Sequence, residues 1–453
     1  MASAAAAAAA DAMALLAWEE AAGQLTEAHA AAEMDPTANE RDRYDLRMRL
    51  ADACRWSGDR AGMDAALRAA IADAEQLGEV ELVARAAIGS LEGSAWFPRA
   101  YAEVETERIR TLRNALRRLP SQDSELRCRV MLALAIELYY ADAPQEIDAL
   151  TEQGLAMARR IDDAALLVWA TTAAYQATWK PSTAELRYGW IAKALTAAIA
   201  LGDARTEAVT RYLLAGAAQE TGRIDQMREQ IAVSRSLALQ HRLATVEVAL
   251  GWLEAPWLAL QGDYAEAYAL IAHTAQTMNR TSMNQQSEAL AGTVMNVQVI
   301  QGQLDKAAVE RFSMAASNSE IPMSANVLVV LLRAGRLAEV QERYAAQGLT
   351  LGPETWFSLI SDSLAAEVAA EVADPELAMR VYRRLAPFAG RPATAAASSA
   401  IWPVDWFLAV AAAATGEKQV ATAHADAAER LCHSWRIEPA IGWIHSQRRR
   451  FGF

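Results

Sequence analysis

Three segments in the middle of the chain repeat one pattern: ETGRIDQMREQI at 220–231, LQGDYAEAYALI at 260–271 and IQGQLDKAAVER at 300–311. In each segment one helical run ends, a glycine and polar residues form a turn, and an amphipathic run begins. The glycines Gly222, Gly262 and Gly302 are spaced 40 residues apart. Because a unit this short cannot bury its apolar face alone, such units stack into one continuous core.

The same turn signal recurs along most of the chain. It is found at Gly58 in WSGDRAG, at Gly335 in LRAGRLAEV, at Asp374 in VADPELAM and at Gly416 in ATGEKQV. Apolar residues between the turns follow three- and four-residue spacing, and no alternating strand pattern bounded by hairpin turns is evident. The sequence therefore predicts an all-α protein of about eleven helix–turn–helix units.

The composition is that of an ordered protein with an acidic balance. The 453 residues are 53% hydrophobic and 22% charged, and the formal net charge is −13. Because phosphate binding needs a concentrated positive surface, we expect no nucleic-acid partner. The cysteines, Cys54, Cys128 and Cys432, are odd in number and far apart, so they do not indicate a disulfide framework.

The chain divides into three parts on its composition. We expect a disordered alanine-rich leader at 1–14, a single solenoid at 15–447 and a basic tail at 448–453. The leader lacks the basic segment of a secretory signal, which favours a cytoplasmic location. The apolar stretch at 393–415 is interrupted by Pro403 and Asp405. We interpret it as a buried helix of the last repeats and expect no membrane partner.

One repeat resembles a known family. In GDYAEAYALIAHTA, the residues Gly262, Asp263, Tyr264 and Ala267 match the Gly-Asp-Tyr-x-x-Ala arrangement of a tetratricopeptide repeat. The long period and the segment SGDRAGMDAALRAAIADAEQLGEVELVARAAIG at 57–89 are similar to the helical-repeat regions of MalT/LuxR-type ATP-dependent bacterial regulators and related nucleotide-cyclase fusions. The resemblance spans roughly residues 15 to 445. It implies a right-handed superhelical solenoid of tetratricopeptide-like repeats with a period of about 40 residues.

Departures from those regulators limit what the resemblance implies. The sequence contains no phosphate-binding G-x-x-x-x-G-K-[ST] motif, and no DNA-reading helix-turn-helix follows the repeats. We therefore expect the repeat region alone, with partner or effector binding and without ATPase or transcriptional output.

Residues suited to catalysis or metal binding are sparse. His424, Cys432, His433 and His445 lie near the carboxyl terminus, but adjacent helical residues point in different directions and no C-x-x-C occurs. No H-E-x-x-H, G-x-S-x-G or G-x-G-x-x-G motif is present. We expect no metal and no cofactor, and we assign no catalytic residue.

Aromatic residues supply the strongest candidate site. In tetratricopeptide units the residue ten positions before the turn glycine typically faces the concave surface, which selects Tyr212, Trp252, Gly292 and Trp406. Neighbours on the same faces extend the predicted ligand-binding set to Trp169, Gln176, Trp179, Tyr212, Gln219, Trp252, Asn296 and Trp406. Aromatic walls with orienting amides suit a peptide or an apolar small molecule. The alternative is that these rings fill the core between alanine-rich helices.

Two classes of function follow from the sequence. The first is a non-catalytic, regulatory binding module that recognises a peptide, a protein partner or a small effector in the concave groove. A homodimer formed through exposed repeat ends is left open. The second is an enzyme or ligand sensor of a small-molecule pathway, with Glu220, Glu247 and Glu254 as acid–base candidates in an aromatic-lined cavity. A pocket that encloses two of these carboxylates beside Trp252 favours catalysis.

Overall fold

The structure, a computed structural model, describes residues 2–15, 17–35, 39–91 and 96–453. Across these residues the chain forms 23 α-helices and one short β-hairpin. The helices of the first half are α1 (Ala2–Ala14), α2 (Trp18–Met34), α3 (Glu40–Ser57), α4 (Arg60–Leu77), α5 (Val80–Ile88), α6 (Thr106–Arg118), α7 (Glu125–Glu137), α8 (Pro144–Ile161), α9 (Ala164–Ala177), α10 (Ala184–Ala200), α11 (Ala204–Glu220) and α12 (Ile224–Gln240).

The second half continues with helices and contains the two strands. Its elements are α13 (Ala244–Gln261), α14 (Tyr264–Met278), α15 (Gln286–Gln301), α16 (Lys306–Ser317), α17 (Ser324–Arg333), α18 (Leu337–Gln347), α19 (Ser358–Glu371), α20 (Pro375–Leu385), β1 (Pro392–Ala395), β2 (Ser399–Pro403), α21 (Val404–Ala414), α22 (Lys418–Trp435) and α23 (Glu438–Phe451). Short 3-10 helices lie at Gly89–Leu91, Pro181–Thr183 and Ala386–Phe388.

Consecutive helices pair along the whole chain. Each odd-numbered helix from α1 to α21 packs against the even-numbered helix that follows it, and α23 closes the array against α22. Eleven pairs result among the described residues. The predicted all-α solenoid of about eleven helix–turn–helix units is confirmed.

The glycines of the repeated segments end helices as the sequence predicts. Gly222, Gly262 and Gly302 have φ angles of 77°, 94° and 73°, in the left-handed region that a residue without Cβ adopts at little cost. The amide of Gly262 donates to the carbonyl of Ala259, and that of Gly302 to the carbonyl of Val299. Each turn therefore caps one helix and redirects the chain into its partner.

Both ends of the chain form helices. The alanine-rich leader is the helix α1, whose Ala9 and Ala12 are buried against Ala21 and Leu25 of α2, so the expectation of disorder at 1–14 is wrong for the described residues. Alanine has the highest helix propensity and its small side chain allows close helix packing. The basic tail is likewise the last turn of α23, where Arg448 pairs with carboxylates of α22.

Residues far apart in sequence meet where successive turns of the superhelix touch. A guanidinium nitrogen of Arg60 donates to the carbonyl of Ser282 at 3.4 Å, 222 residues away. Similarly, the backbone amide of Trp356 donates to the hydroxyl of Tyr139 at 2.9 Å across 217 residues. Arg228 donates to the carbonyl of Trp435 at 2.6 Å across 207 residues. The solenoid is therefore wound tightly enough for its turns to contact one another.

The β-hairpin replaces part of a predicted helix. We interpreted 393–415 as one buried helix, and this is wrong for its first part, since β1 and β2 pair antiparallel and α21 begins only at Val404. Pro392 and Pro403 bracket the hairpin. A proline lacks the amide that a helix needs and drives the preceding residue into extended backbone. All strand residues are buried.

This central hairpin, residues 392–403, lies against the inner helices of the solenoid. Its strands pack on α11, α13, α15 and α19. At its tip, the carbonyl of Ala396 accepts from the amide of Gln219 at 2.9 Å, and the carbonyl of Ala397 accepts from the hydroxyl of Tyr212 at 3.3 Å. A Cβ on Gly216 would lie 2.3 Å from the Cβ of Ala397. Only small side chains fit at this contact.

None of the described helices combines enough length with enough apolar character to cross a membrane.

We predict that Gly216→Ala destabilises the protein by about 1–3 kcal/mol, because the added methyl collides with Ala397 and overpacks the contact. The loss should appear despite a gain of up to about 1 kcal/mol from helix propensity. Gly189→Ala in α10 is the matched control, since its Cβ meets nothing within 4 Å and it should be neutral or stabilising. Urea unfolding measures both, and a Gly216→Ala variant as stable as the control would contradict the contact.

Candidate functional site

Two of the predicted site residues are covered by the chain itself. Tyr212 and Gln219 are both fully buried and lie on the inner side of α11, where their polar atoms hold the central hairpin. The Oε1 atom of Gln219 also accepts from the indole nitrogen of Trp257 at 2.7 Å. These side chains face inward, but the chain's own backbone occupies the space in front of them.

Three predicted tryptophans are core residues. Trp179, Trp252 and Trp406 are at most 1% exposed. The ring of Trp252 contacts that of Trp96, with 5.1 Å between centroids, and its indole nitrogen has no hydrogen-bond partner among the described residues. Large rings at the centre of the solenoid fill volume between alanine-rich helices. For these three tryptophans the structure shows core packing, which is the alternative that the sequence left open.

Buried arginine–glutamate pairs anchor two of these tryptophans. The carboxylate of Glu220 accepts from two nitrogens of Arg187, at 2.7 and 3.0 Å, and from the indole of Trp179 at 3.2 Å. Burial alone would lower the pKa of Arg187, but the charge of Glu220 more than offsets this and raises it. Glu367 repeats the arrangement, since it accepts from Arg333 and from the indole of Trp406.

The acid–base candidates are not assembled into one site. The carboxylate of Glu220 forms an ion pair with Arg187 in the core. Glu254 pairs with Arg235, and the carboxylate of Glu247 lies 3.5 Å from the ring of His273. None of the three glutamates lines either of the inner cavities described next.

Asn296 lies at a small cavity beside the central hairpin. The cavity measures about 60 Å³ and is also lined by Trp96, Gly292, Asn326 and Ser398. One water needs roughly 10–15 Å³ measured in this way, so the space holds a few waters and no organic ligand. The Oδ1 atom of Asn326 has no hydrogen-bond partner within the described part of the chain.

A larger pocket contains the two remaining predicted residues, Trp169 and Gln176. We call it the tryptophan pocket, and its volume is about 400 Å³. This lies in the range of roughly 300–1,000 Å³ that small-molecule sites occupy. Its lining residues come from α3, α7, α9, α11, the 3-10 helix at Gly89–Leu91 and the turn before α11. They include Asp52, Trp56, Leu91, Arg129, Ile136, Val168, Trp169, Thr172, Gln176, Asp203, Arg205, Thr206 and Thr210.

Two arginine–tryptophan stacks form walls of the tryptophan pocket. The guanidinium carbon of Arg205 lies 3.7 Å from the ring centroid of Trp56, and that of Arg129 lies 4.6 Å from the ring centroid of Trp169. A guanidinium over an indole face is favoured by the ring quadrupole. Both tryptophans are half-buried, so each ring has one side in the protein and part of its surface in the pocket.

The first turn of α11 fixes one wall. Asp203 caps this helix, and its Oδ2 accepts from the amide of Thr206 at 2.9 Å and from the Thr206 hydroxyl. Burial opposes ionisation of Asp203, but the hydrogen bonds from Thr206 outweigh it and lower the pKa of the carboxyl. Arg205 lies two residues after Asp203, so the cap sets the position from which its side chain reaches Trp56.

Several pocket residues were missed by reasoning from the repeats. Trp56, Arg129 and Arg205 do not occupy the position ten before a turn glycine. Arg129 lies four residues after Glu125, which signals only a surface ion pair on one helix. Trp56 and Arg205 belong to helices four pairs apart, and only the winding of the solenoid brings them together. The periodicity of a single repeat carries no information on that contact.

The described residues include no group of three His, Cys, Asp or Glu side chains placed to hold a metal ion. The carboxyl-terminal histidines have other contacts. His424 lies between the hydroxyl of Tyr382 at 3.1 Å and the carboxylate of Asp405 at 3.3 Å, and His433 contacts Glu438.

No protein-family model and no curated protein matches this chain. Among solved structures, it is similar to one described as a circular tandem repeat protein with novel repeat topology and enhanced subunit contact surfaces. The match covers 99% of this chain and 88% of that chain, at 15% identity and a TM-score of 0.14. Since the TM-score is this low, the fold assignment rests on the helices and their pairing.

We predict that Glu220→Gln lowers the free energy of unfolding by about 3–5 kcal/mol, because it leaves the charge of Arg187 buried without a counterion. Glu146→Gln provides the matched control, since it breaks the Arg113–Glu146 pair at a site where both side chains are about 40% exposed. That substitution should cost less than about 1 kcal/mol. Chemical denaturation distinguishes the two, and equal small losses would mean that the buried pair is not structural.

Proposed function

We propose that this protein is a non-catalytic binding module that takes a small effector in the tryptophan pocket. The observation that supports this most directly is the contrast between two parts of the inner surface. Most of it is filled by the central hairpin and core tryptophans, while the tryptophan pocket leaves about 400 Å³ beside half-buried indoles. Rigid aromatic walls with a few polar groups are typical of ligand sites.

A small effector fits this geometry better than an extended peptide does. A peptide in the groove of a helical solenoid needs a continuous track past several inner helices. Here the hairpin tip occupies the front of Tyr212 and Gln219 on α11, which blocks such a track. The pocket that remains is bounded by helices from the first half of the chain. A peptide or protein partner would bind elsewhere on the surface.

The pocket offers little for acid–base catalysis. Its carboxylates are Asp52 and Asp203, and both have structural partners. Asp52 accepts from the indole nitrogen of Trp56 at 3.2 Å, and Asp203 caps α11. An enzyme needs a base that is free to reach the substrate. We therefore place binding ahead of catalysis.

The proposed role is regulatory and cytoplasmic. The sequence resembles the repeat regions of MalT/LuxR-type regulators, and this resemblance implies partner or effector binding. A ligand that bridges α3 and α11 would stabilise the contact between these two helices, which lie four helix pairs apart in the chain. Binding in this pocket therefore offers a route by which an effector changes the shape of the solenoid.

The proposed binding site can be tested by filling the tryptophan pocket with a larger side chain. Thr172 is half-buried and lines the pocket, so Thr172→Trp should occupy it. With 2-naphthamide as a neutral aromatic probe, calorimetric titration of the wild-type protein should show one saturable site. The Thr172→Trp variant should weaken binding by at least about tenfold, which is 1.4 kcal/mol.

Thr422→Trp on α22 is the control, because this position does not line the pocket. It should bind the probe as the wild type does, and thermal unfolding of both variants checks that each is folded. Unchanged affinity in Thr172→Trp, or no binding to the wild type, would contradict the proposed site.

A further inference from the structure

Among the described residues, the Arg205 guanidinium at the wall of the tryptophan pocket is in contact with aromatic rings and has no hydrogen-bonded partner. Its carbon lies 3.7 Å from the ring centroid of Trp56 and 6.0 Å from that of Trp18. Over residues 2–15, 17–35, 39–91 and 96–453, its side chain makes no hydrogen bond and no ion pair with a carboxylate. Most half-buried arginines here do pair with one, as Arg211 does with Glu207 at 2.7 Å. Arg205 therefore carries donors that the protein does not use.

Stacking leaves those donors available to a ligand. The N–H groups of a guanidinium lie in its plane, so contact through the flat face with an indole does not consume them. Such a fork matches the two oxygens of a carboxylate. Burial lowers the pKa of Arg205, and the charges of Asp203 and Asp52 counter this in part. The side chain is partly buried and has no hydrogen-bonded counterion among the described residues, so an anion in the pocket could accept charge-assisted hydrogen bonds from it.

The nearby carboxylates are held by other groups. Asp203 accepts from the amide and hydroxyl of Thr206. Asp52 accepts from the indole of Trp56, and its Oδ1 lies 3.4 Å from the Nε of Arg55. On the other stack, Arg129 pairs with Glu125 at 2.8 Å. The positive charges of Arg205 and of these two arginines are thus matched by the three nearby carboxylates. Selectivity for an anion therefore depends on the directed N–H donors of Arg205 and not on a net positive charge of the pocket.

The rest of the pocket favours a ligand whose remaining part is apolar. Its lining includes indole rings and aliphatic side chains from α7, α9 and α11, with hydroxyl groups and the amide of Gln176 at intervals. The amino end of α11, with its partial positive charge, lies at the same wall as Arg205. A flat ring would lie against the indoles while its acidic group reaches the guanidinium.

We infer that the tryptophan pocket binds an organic monocarboxylate with a flat, apolar ring system, whose carboxylate is held by Arg205. This inference rests on the proposed function and names the chemical class of its effector. The inference goes beyond the proposed function because the pocket must distinguish a carboxylate from the neutral amide of the same shape.

The test compares 2-naphthoate with 2-naphthamide by calorimetric titration at neutral pH. Wild-type protein should bind 2-naphthoate at least about tenfold more tightly, since a hydrogen bond to a charged group adds about 1.5–3 kcal/mol. In Arg205→Gln, the two probes should bind with equal affinity, and the affinity for 2-naphthamide should stay within about threefold of wild type. Arg110→Gln, at an exposed position outside the pocket, should keep the wild-type preference.

Each outcome bears on one claim. If the wild type binds both probes equally, or Arg205→Gln keeps the preference for 2-naphthoate, the monocarboxylate inference is overturned while the pocket remains a binding site. If 2-naphthamide does not bind the wild type, the proposed function itself fails. If Arg205→Gln does not fold, Arg205→Lys replaces it. Lysine keeps the charge without the planar fork, so this variant should reduce the preference for 2-naphthoate over 2-naphthamide. The comparison of the two probes on the wild type tests the inference without any variant.

Discussion

Contact between successive turns of the superhelix is the constraint on which the rest of this structure depends. Residues about two hundred positions apart meet directly, as Arg60 does with Ser282 and Arg228 with Trp435. Because the turns touch, the inner surface of the solenoid is closed off from water. It then needs apolar filling and paired charges, which the central hairpin, the core tryptophans and the buried arginine–glutamate pairs supply. An open superhelix would leave these groups exposed to water.

Local chain properties explain why so much of the fold could be predicted. The glycine turns at 40-residue spacing and the helical periodicity between them depend on residues close in sequence, and they predicted the helix pairs correctly. The hairpin at 392–403 was missed because its residues, rich in alanine, have no strand pattern of their own. Its conformation comes from two prolines and from the close fit of Ala397 against Gly216, which belongs to a different part of the chain.

The candidate site, like the fold, was predicted only in part from the sequence. The rule that places a residue on the inner face selected side chains that do point inward, such as Tyr212, but it could not say what lies in front of them. Of the predicted set, Trp169 and Gln176 line the pocket that has room for a ligand. Trp56 and Arg205, which decide its chemistry, come together only through the winding of the solenoid. A repeat pattern predicts what each unit looks like and not which units meet.

Hydrogen–deuterium exchange at the central hairpin tests the closed interior most directly. Amides in a buried, hydrogen-bonded segment exchange only when the structure opens, so their protection reports whether the hairpin is part of the core. We expect peptides covering 392–403 to exchange as slowly as those from the buried helix α13. Fast exchange of 392–403, with α11 and α13 still protected, would mean that the groove is open and would contradict the account.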